Sequence, residues 1–268
     1  MALKDITLGQ FFPGTSLLHR LDPRPKIIFT VFYIAAIFLC RWLVSYGLVL
    51  AVLLVFIGIS RVKPSVFLKG MKPVVFIVIF TAILNLFYTS GTVLWSFGIL
   101  KITEQGIWKA GFMVLRILML ICCTLLLTYT TSPILLTDGL ERLLRPLKRV
   151  GFPVHELAMM MSIALRFIPT LIQETDKIIS AQKARGADFD SGNLIQKAKA
   201  LIPILIPLFI SSFRRAEELA IAMECRCYHG DEGRTSLRQL KMVSRDWGLV
   251  VFSFVLVAAV IALRILGL

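Results

Sequence analysis

The sequence predicts an all-α, polytopic integral membrane protein with about five transmembrane helices and a cytoplasmic region of long helices. Of its 268 residues, 57% are hydrophobic, whereas soluble domains contain about 45–50% apolar residues. The excess lies in apolar runs long enough to cross a bilayer core of about 30 Å. The formal net charge is +14. In so apolar a chain, the retention of Lys and Arg on the cytoplasmic side of the membrane is the simplest explanation.

The N-terminal third predicts a polar surface segment followed by two spans. Met1 to Lys26 is polar and is expected to lie at the membrane surface. Its last residues contain two prolines, at Pro23 and Pro25, and are expected to resist helix formation. The apolar run from Ile27 to Ile59 is too long for one span. We therefore expect two short spans that turn near Arg41 and Trp42.

Loop charges predict how the chain is oriented. The segment Arg61–Lys72 contains several Lys and Arg and no acid, which places it in the cytoplasm. The N-terminus is then cytoplasmic, Thr89–Gln105 lies outside, and residues 131–246 lie inside. Three further spans are predicted, at about Pro73–Tyr88, Ile107–Tyr129 and Trp247–Leu266. Arg116 falls within one of them and is expected to face a protein partner or a cavity, because a charge in lipid is costly.

These features divide the chain into three parts. Residues 1–131 form an N-terminal membrane domain of four short spans, residues 132–246 a cytoplasmic or interfacial domain, and residues 247–268 a C-terminal transmembrane helix. Ser132 and Pro133 are typical of a helix start. Behind them, apolar residues recur at spacings of three and four, at Leu136, Leu140, Leu143, Leu147 and Val150. This pattern predicts an amphipathic helix suited to the membrane surface. The alternative is a helix packed on a neighbouring domain.

Two long helices are predicted next, at about Val154–Ala184 and Asn193–Cys225. Each contains an apolar stretch and ends in a charged one, and Pro169, Pro203 and Pro207 interrupt the apolar parts. We expect each helix to meet the membrane at one end and to reach into the cytoplasm at the other. The alternative is a helical hairpin that crosses the bilayer.

The two long helices end in similar sequences. When they are aligned on Arg185 and Arg226, each has an acid nine positions earlier, an Ala four positions earlier, and a small residue on either side. An arginine offers five donors to carboxylates or to helix-end carbonyls, and small neighbours let a helix end enter a groove. One copy alone would favour a plain C-terminal cap that complements the helix dipole. Two matched copies favour a docking role.

Other classes of function lack the residues that they need. An intramembrane enzyme would need a nucleophile, metal ligands or paired carboxylates at membrane depth, whereas the predicted spans contain no Asp or Glu. The sequence has no HExxH or GxSxG pattern, and it has no P-loop with which the chain itself could hydrolyse ATP. A stand-alone membrane carrier needs polar residues converging across several spans, whereas the charge here collects in the cytoplasmic region. Topology accounts for the basic excess without nucleic acid. Cys225, Cys227 and His229 make an incomplete zinc site, so no metal or other cofactor is expected.

Several segments together carry a resemblance to a known family: Leu21–Arg24, Leu136–Glu141, Pro153–Met160, Leu165–Thr170, Ala181–Ala187 and Phe213–Glu218. In these segments the chain resembles the CbiQ-like transmembrane T subunits of energy-coupling factor transporters. These transporters are the vitamin and metal uptake relatives of ABC importers. The N-terminal spans match the family less distinctly.

The resemblance implies a non-catalytic coupling subunit of the cell membrane. Its two coupling helices would dock on two ABC-type ATPase subunits, EcfA and EcfA′, through Ala-Arg-Gly-type motifs. Ala184-Arg185-Gly186 matches the first motif, and Cys225-Arg226-Cys227 occupies the position of the second. The cysteines are still small, but they put in doubt any role that needs the backbone freedom of glycine at position 227.

The resemblance also implies that the same helices carry a substrate-binding S component, dedicated or interchangeable, on their membrane-facing side. We add the hypothesis that Met159, Met160 and Met161, with Leu208 and Phe209, form an adaptable surface that accepts more than one S component. Ordinary core methionines are the alternative.

Overall fold

The computed structural model describes residues 11–97, 100–187, 189, 193–230 and 240–267. The predicted surface position of the first ten residues lies outside this part of the chain. The helices are α1 (Leu17–Arg20), α2 (Pro23–Leu39), α3 (Leu43–Ser60), α4 (Pro64–Tyr88), α5 (Glu104–Thr130), α6 (Pro133–Leu144), α7 (Val154–Ala184), α8 (Leu194–Glu224) and α9 (Ser244–Leu266). A 3₁₀ turn, Arg145–Val150, follows α6.

The described residues form two compact units. The first, here the membrane unit, contains residues 11–139 and 240–267. The second, here the long-helix unit, contains the described residues from Leu140 to 230 and is built around α7 and α8.

The predicted helices are present, and two of them start earlier than expected. The turn between two helices at Arg41 and Trp42 is confirmed. Helix α2 starts at Pro23, so the expectation that Leu21–Lys26 resists helix formation is wrong. Its prolines lie in the first turn, where their missing N–H groups need no partner. Helix α4 starts at Pro64 for the same reason, and much of the predicted basic loop is therefore helical.

The segment between α4 and α5 contains a small hairpin. Strands β1 (Val93–Phe97) and β2 (Leu100–Thr103) pair antiparallel. The side chain of Gln105 closes the hairpin's base, because its Oε1 accepts the backbone N–H of Thr92 at 2.8 Å. This hairpin is a local addition to an otherwise helical chain.

Within the described ranges, five helices are long and apolar enough to cross a membrane: α3, α4, α5, α7 and α9. Their number agrees with the prediction, but the set differs. Helix α2, predicted as a span, has only 17 residues and is not in the set. Helix α7, predicted to touch the membrane at one end, is in the set with the lowest mean hydropathy, 1.3 against 2.0–2.8 for the others.

The core of the membrane unit lies where α2 packs against α5 and α9. Its fully buried side chains include Tyr33, Ile37, Tyr46, Val49, Met119 and Val260. Phe29 stacks on Phe56 with ring centroids 4.5 Å apart. Between apolar helices in lipid, such close packing rather than removal from water is what holds the helices together.

Arg116 finds its partner inside this unit. Its Nε and Nη2 atoms donate to the Tyr46 hydroxyl at 3.1 and 2.5 Å, and its guanidinium carbon lies 5.9 Å from the ring centroid of Phe38. The hydrogen bonds and the ring reduce the cost of placing this charge in the helical layer. Arg116 is predicted to face either a protein partner or a cavity. The structure supports a protein partner, which is Tyr46 of the same chain.

A buried polar cluster joins the first turns of α2 and α9. Asp246 in α9 is 4% exposed. Its two oxygens accept the backbone N–H groups of Asp22 at 3.0 Å and Val243 at 2.8 Å. Asp22 caps α2 by accepting the N–H of Arg24 at 3.0 Å, and Arg24 Nη2 donates to Leu240 O at 3.1 Å.

Lys26 extends the same cluster to the end of α5. The residue is 4% exposed, and its Nζ donates to Thr130 O at 3.1 Å and Thr131 Oγ1 at 3.2 Å. Two buried carboxylates, Asp22 and Asp246, lie in the same region as this ammonium and the Arg24 guanidinium. The segment Asp22–Lys26 thus ties the starts of α2 and α9 to the end of α5.

Candidate docking site at the ends of the long helices

The two long helices have the predicted bounds to within a residue. Each has 31 residues, Val154–Ala184 in α7 and Leu194–Glu224 in α8. The side chain of Gln196 secures the start of α8, because its Oε1 accepts the N–H of Asn193 at 3.0 Å. This reciprocal cap is typical of a helix that starts at Asn.

The contacts between α7 and α8 show that the helices run antiparallel. Glu174 bonds to Arg215 and Ser211, and Gln182 Nε2 donates to Pro203 O at 3.4 Å. As the residue number rises along α7, the number of its partner falls along α8. The carboxyl-terminal ends of the two helices, and hence Arg185 and Arg226, therefore lie at opposite ends of the pair.

Helix α7 ends in a Schellman motif. The N–H of Gly186 donates to Lys183 O at 3.0 Å, and the N–H of Ala187 donates to Gln182 O at 3.0 Å. Gly186 has a φ of +85°, the left-handed conformation that glycine adopts without a steric penalty. Arg185 is the last residue before this reversal, and its side chain is exposed.

Helix α8 ends in the same motif, although it has no glycine there. The N–H of Cys227 donates to Glu224 O at 2.9 Å, and the N–H of Tyr228 donates to Met223 O at 3.1 Å. Cys227 has a φ of +55° and thus adopts the conformation for which glycine is preferred. Cys227 thus supplies the backbone conformation for which glycine was expected. Arg185 and Arg226 therefore occupy the same position in the same type of cap.

Replacing Cys227 by Gly is expected to stabilise the end of α8. A side chain in the left-handed conformation costs roughly 1–2 kcal/mol, and glycine loses part of that gain through unfolded-state entropy, so the net gain should be about 0.5–1 kcal/mol. Thermal unfolding of the purified variant measures it. Cys225→Ala is the matched control, since it removes a thiol from a right-handed helical residue. Equal stability of the two variants would contradict the expectation.

Both candidate docking ends are accessible. Ala184, Arg185, Gly186, Cys225, Arg226 and Cys227 are all exposed. Within the ranges that the structure describes, no ion pair involves either arginine. Each end therefore presents an exposed guanidinium between two small residues.

The predicted methionine surface is also largely exposed. Met160 and Met161 are 55% and 46% exposed, and Phe209 is 59% exposed, while Met159 and Leu208 are half-buried. Phe209 belongs to a continuous apolar stripe of α8 that includes Ile202, Leu205, Ile206, Ile210 and Phe213. This exposure favours a contact surface over core methionines, and an S component there stays a prediction.

Sequence reasoning missed the contact that joins the two helices. Ser211 Oγ donates to Glu174, Arg215 Nη2 donates to Glu174 Oε2 at 3.0 Å, and the Arg215 guanidinium carbon lies 5.8 Å from the ring centroid of Phe167. A signal was available: Glu174 and Arg215 each lie eleven positions before the arginine of their own helix. Opposite charges at equivalent positions of two antiparallel helices can meet.

Comparisons with known proteins agree with this architecture. The CbiQ family, described as cobalt transport protein, matches residues 14–237. Relatives from several bacteria carry the name energy-coupling factor transporter transmembrane protein EcfT. That of Ruminiclostridium cellulolyticum is 56% identical over 244 residues, 91% of each chain. That of Clostridium kluyveri is 52% identical over 265 residues, 98% of each chain. That of Bacillus subtilis is 47% identical over 263 residues, 98% of this chain and 99% of the relative.

The helical fold, its apolar spans and these matches define a membrane component of a transporter. The chain belongs to the CbiQ family, as a transmembrane T component of the energy-coupling factor transporters.

Proposed function

We propose that this chain couples ATP hydrolysis by two ABC-type ATPase subunits to the movement of a substrate-binding S component during vitamin or metal uptake. One observation supports this most strongly. Two long antiparallel helices end in the same Schellman motif, each with an exposed arginine between small residues. Such ends provide two equivalent contacts for two ATPases, and the intervening helices can transmit their motion.

The exposed apolar stripe of α8 supports a second partner on the same helices. Contiguous apolar surface of this kind marks a protein or membrane contact. In the proposed complex the S component, dedicated or shared, rests on this stripe and on the methionines of α7. ATP-driven movement of the helix ends then shifts the surface beneath it.

The amphipathic segment suits the cytoplasmic membrane surface. Helix α6 buries Thr137 and Gly139. The following turn exposes Leu147, Val150 and Phe152 among Arg145, Lys148 and Arg149. Apolar and basic side chains together favour contact with anionic lipid. In the proposed arrangement, the N-terminus and the long-helix unit lie on the cytoplasmic side.

Isolation from native membranes tests the proposed function. The tagged chain should co-purify with two ATPase subunits and at least one S component, identified by mass spectrometry. In vesicles stripped of the ATPase subunits, a membrane-impermeant maleimide should label the exposed Cys225 and Cys227 only when the vesicles are inside-out, since the proposal assigns these helix ends to the cytoplasm. Uptake by the purified chain alone, without ATPases, would instead support a stand-alone carrier, and catalysis by it would support an intramembrane enzyme.

Replacing Met159, Met160 and Met161 together by Ile is expected to reduce binding of several S components unequally. Methionine adapts to different partner surfaces, whereas β-branched isoleucine does not. Co-purification of the variant with each S component, expressed in turn, measures the effect. Met242→Ile, outside the long-helix unit, controls for the exchange itself. Equal retention of all S components would count against the adaptable surface.

A further inference from the structure

We propose that the Glu174–Arg215 ion pair is the pivot about which the two long helices rotate when the ATPases move. This inference rests on the proposed coupling function and adds two positioning residues to it. It starts from where the pair lies. Glu174 and Arg215 occupy equivalent positions of the two helices, eleven residues before Arg185 and Arg226.

Several of the contacts between the helices involve this pair, and a further one, from Gln182 to Pro203 O, lies two turns along α7. Glu174 accepts hydrogen bonds from both Ser211 and Arg215, and Arg215 also lies against the ring of Phe167. Two antiparallel elements that meet at equivalent residues are related by an approximate twofold axis through the meeting point. The ion pair therefore lies close to the axis that exchanges the two arginine ends.

This position puts Arg185 and Arg226 at equal distances from the ion pair. Eleven residues of helix span roughly 16 Å, so each arginine lies that far from the pair along its own helix. Rotation about the pair moves both ends by the same amount and leaves the pair itself nearly in place. Two ATPases that approach each other symmetrically need a connection with this property.

The chemistry of the contact suits a pivot. The two charged side chains are only partly buried, 25% exposed for Glu174 and 33% for Arg215. A carboxylate and a guanidinium keep attracting each other over a range of orientations. An interdigitated apolar contact, in contrast, would have to repack on rotation. The pair thus holds the helices together without fixing one angle between them.

Distances between spin labels in the complex with both ATPases test the motion. One label pair stands near the axis, at Gln173 and Arg214, and one near the ends, at Lys183 and Glu224; all four residues are exposed. The five native cysteines are replaced, Cys227 by Gly and the others by Ala, and this background must first bind both ATPases. The probe is ATP with vanadate, compared with the nucleotide-free complex. The change in distance at the ends should exceed that near the axis at least about threefold, as the arm lengths require. Equal changes, or none at the ends, would overturn the pivot.

A charge exchange tests the two residues themselves. Glu174→Arg and Arg215→Glu alone should each reduce the vanadate-dependent change at the ends by at least about half, because like charges then meet at the axis. The double variant should restore the vanadate-dependent change, since exchanging the two residues across the approximate twofold axis again brings opposite charges together. Gln173→Arg is the control and should behave as wild type. If a single reversal prevents assembly, Glu174→Gln and Arg215→Gln replace it in the same measurement. Unaffected single variants, or a double variant that does not recover, would overturn the assignment.

The outcomes separate this inference from the proposed function. If the wild-type chain binds no ATPase, the coupling role itself fails. If it binds both ATPases and its ends move while the charge variants behave as wild type, the coupling role stands and the pivot fails.

Discussion

The Arg185→Glu variant is expected to lose one ATPase subunit from the purified complex, and Arg226→Glu is expected to lose the other. Each arginine is exposed at the end of its helix and lies between small residues, so a partner groove can enclose it. Truncating one member of an enclosed charge pair costs about 2–5 kcal/mol, and a reversal adds repulsion. Native mass spectrometry of the purified complex gives the stoichiometry of each ATPase.

Two comparisons make this result specific. Lys177→Glu reverses an exposed charge on α7 two turns before its end and should leave both ATPases bound. Arg185→Lys keeps the charge but loses the fixed fork of donors, so binding should weaken without disappearing. Because Arg185 and Arg226 lie at opposite ends of the α7–α8 pair, the two charge reversals should each affect a different ATPase subunit. Recovery of either variant with both ATPases at wild-type stoichiometry would contradict the docking assignment.

Asp246→Ala is expected to destabilise the membrane unit severely. The substitution leaves the buried N–H groups of Asp22 and Val243 without acceptors, and it removes one of the two carboxylates that balance Lys26. Unsatisfied buried groups cost about 1–3 kcal/mol each, and breaking a buried charge cluster costs about 3–5 kcal/mol. The thermal unfolding midpoint in detergent should fall by roughly 10 °C.

The neighbouring residue supplies the control. Arg245 is exposed on the same turn of α9, and Arg245→Ala should change the unfolding midpoint by no more than about 2 °C. Asp246→Asn keeps one acceptor oxygen and should fall between the two. A midpoint for Asp246→Ala within the range of the Arg245 control would show that the cluster contributes little to stability.

The two predictions separate assembly from folding. The arginine ends belong to the long-helix unit and the carboxylate cluster to the membrane unit. The arginine variants should therefore unfold at the wild-type temperature while losing a partner. The Asp246 variant should unfold at a lower temperature whether or not partners are present.

The sequence by itself determined the class of the protein and nearly all of its helices. Apolar runs of bilayer length can satisfy their backbone only as helices in lipid, so the spans follow from composition and length. Helices α7 and α8 were predicted closely because their amphipathic patterns end at clear caps. The candidate docking residues were found for the same reason, since the repeated ending is a local pattern.

Only the tertiary structure decided which of these local features meet. The partner of Arg116 is Tyr46, 70 positions away, and the partner of Asp22 is Asp246, 224 positions away. Separations of this size along the chain do not indicate which residues are in contact in the folded protein. The left-handed backbone of Cys227 was likewise decided by hydrogen bonds at the end of α8, which outweigh the preference of a cysteine for negative φ. The ion pair between α7 and α8 also depended on packing, because opposite charges at equivalent positions of two helices meet only when the helices pack antiparallel in the matching register.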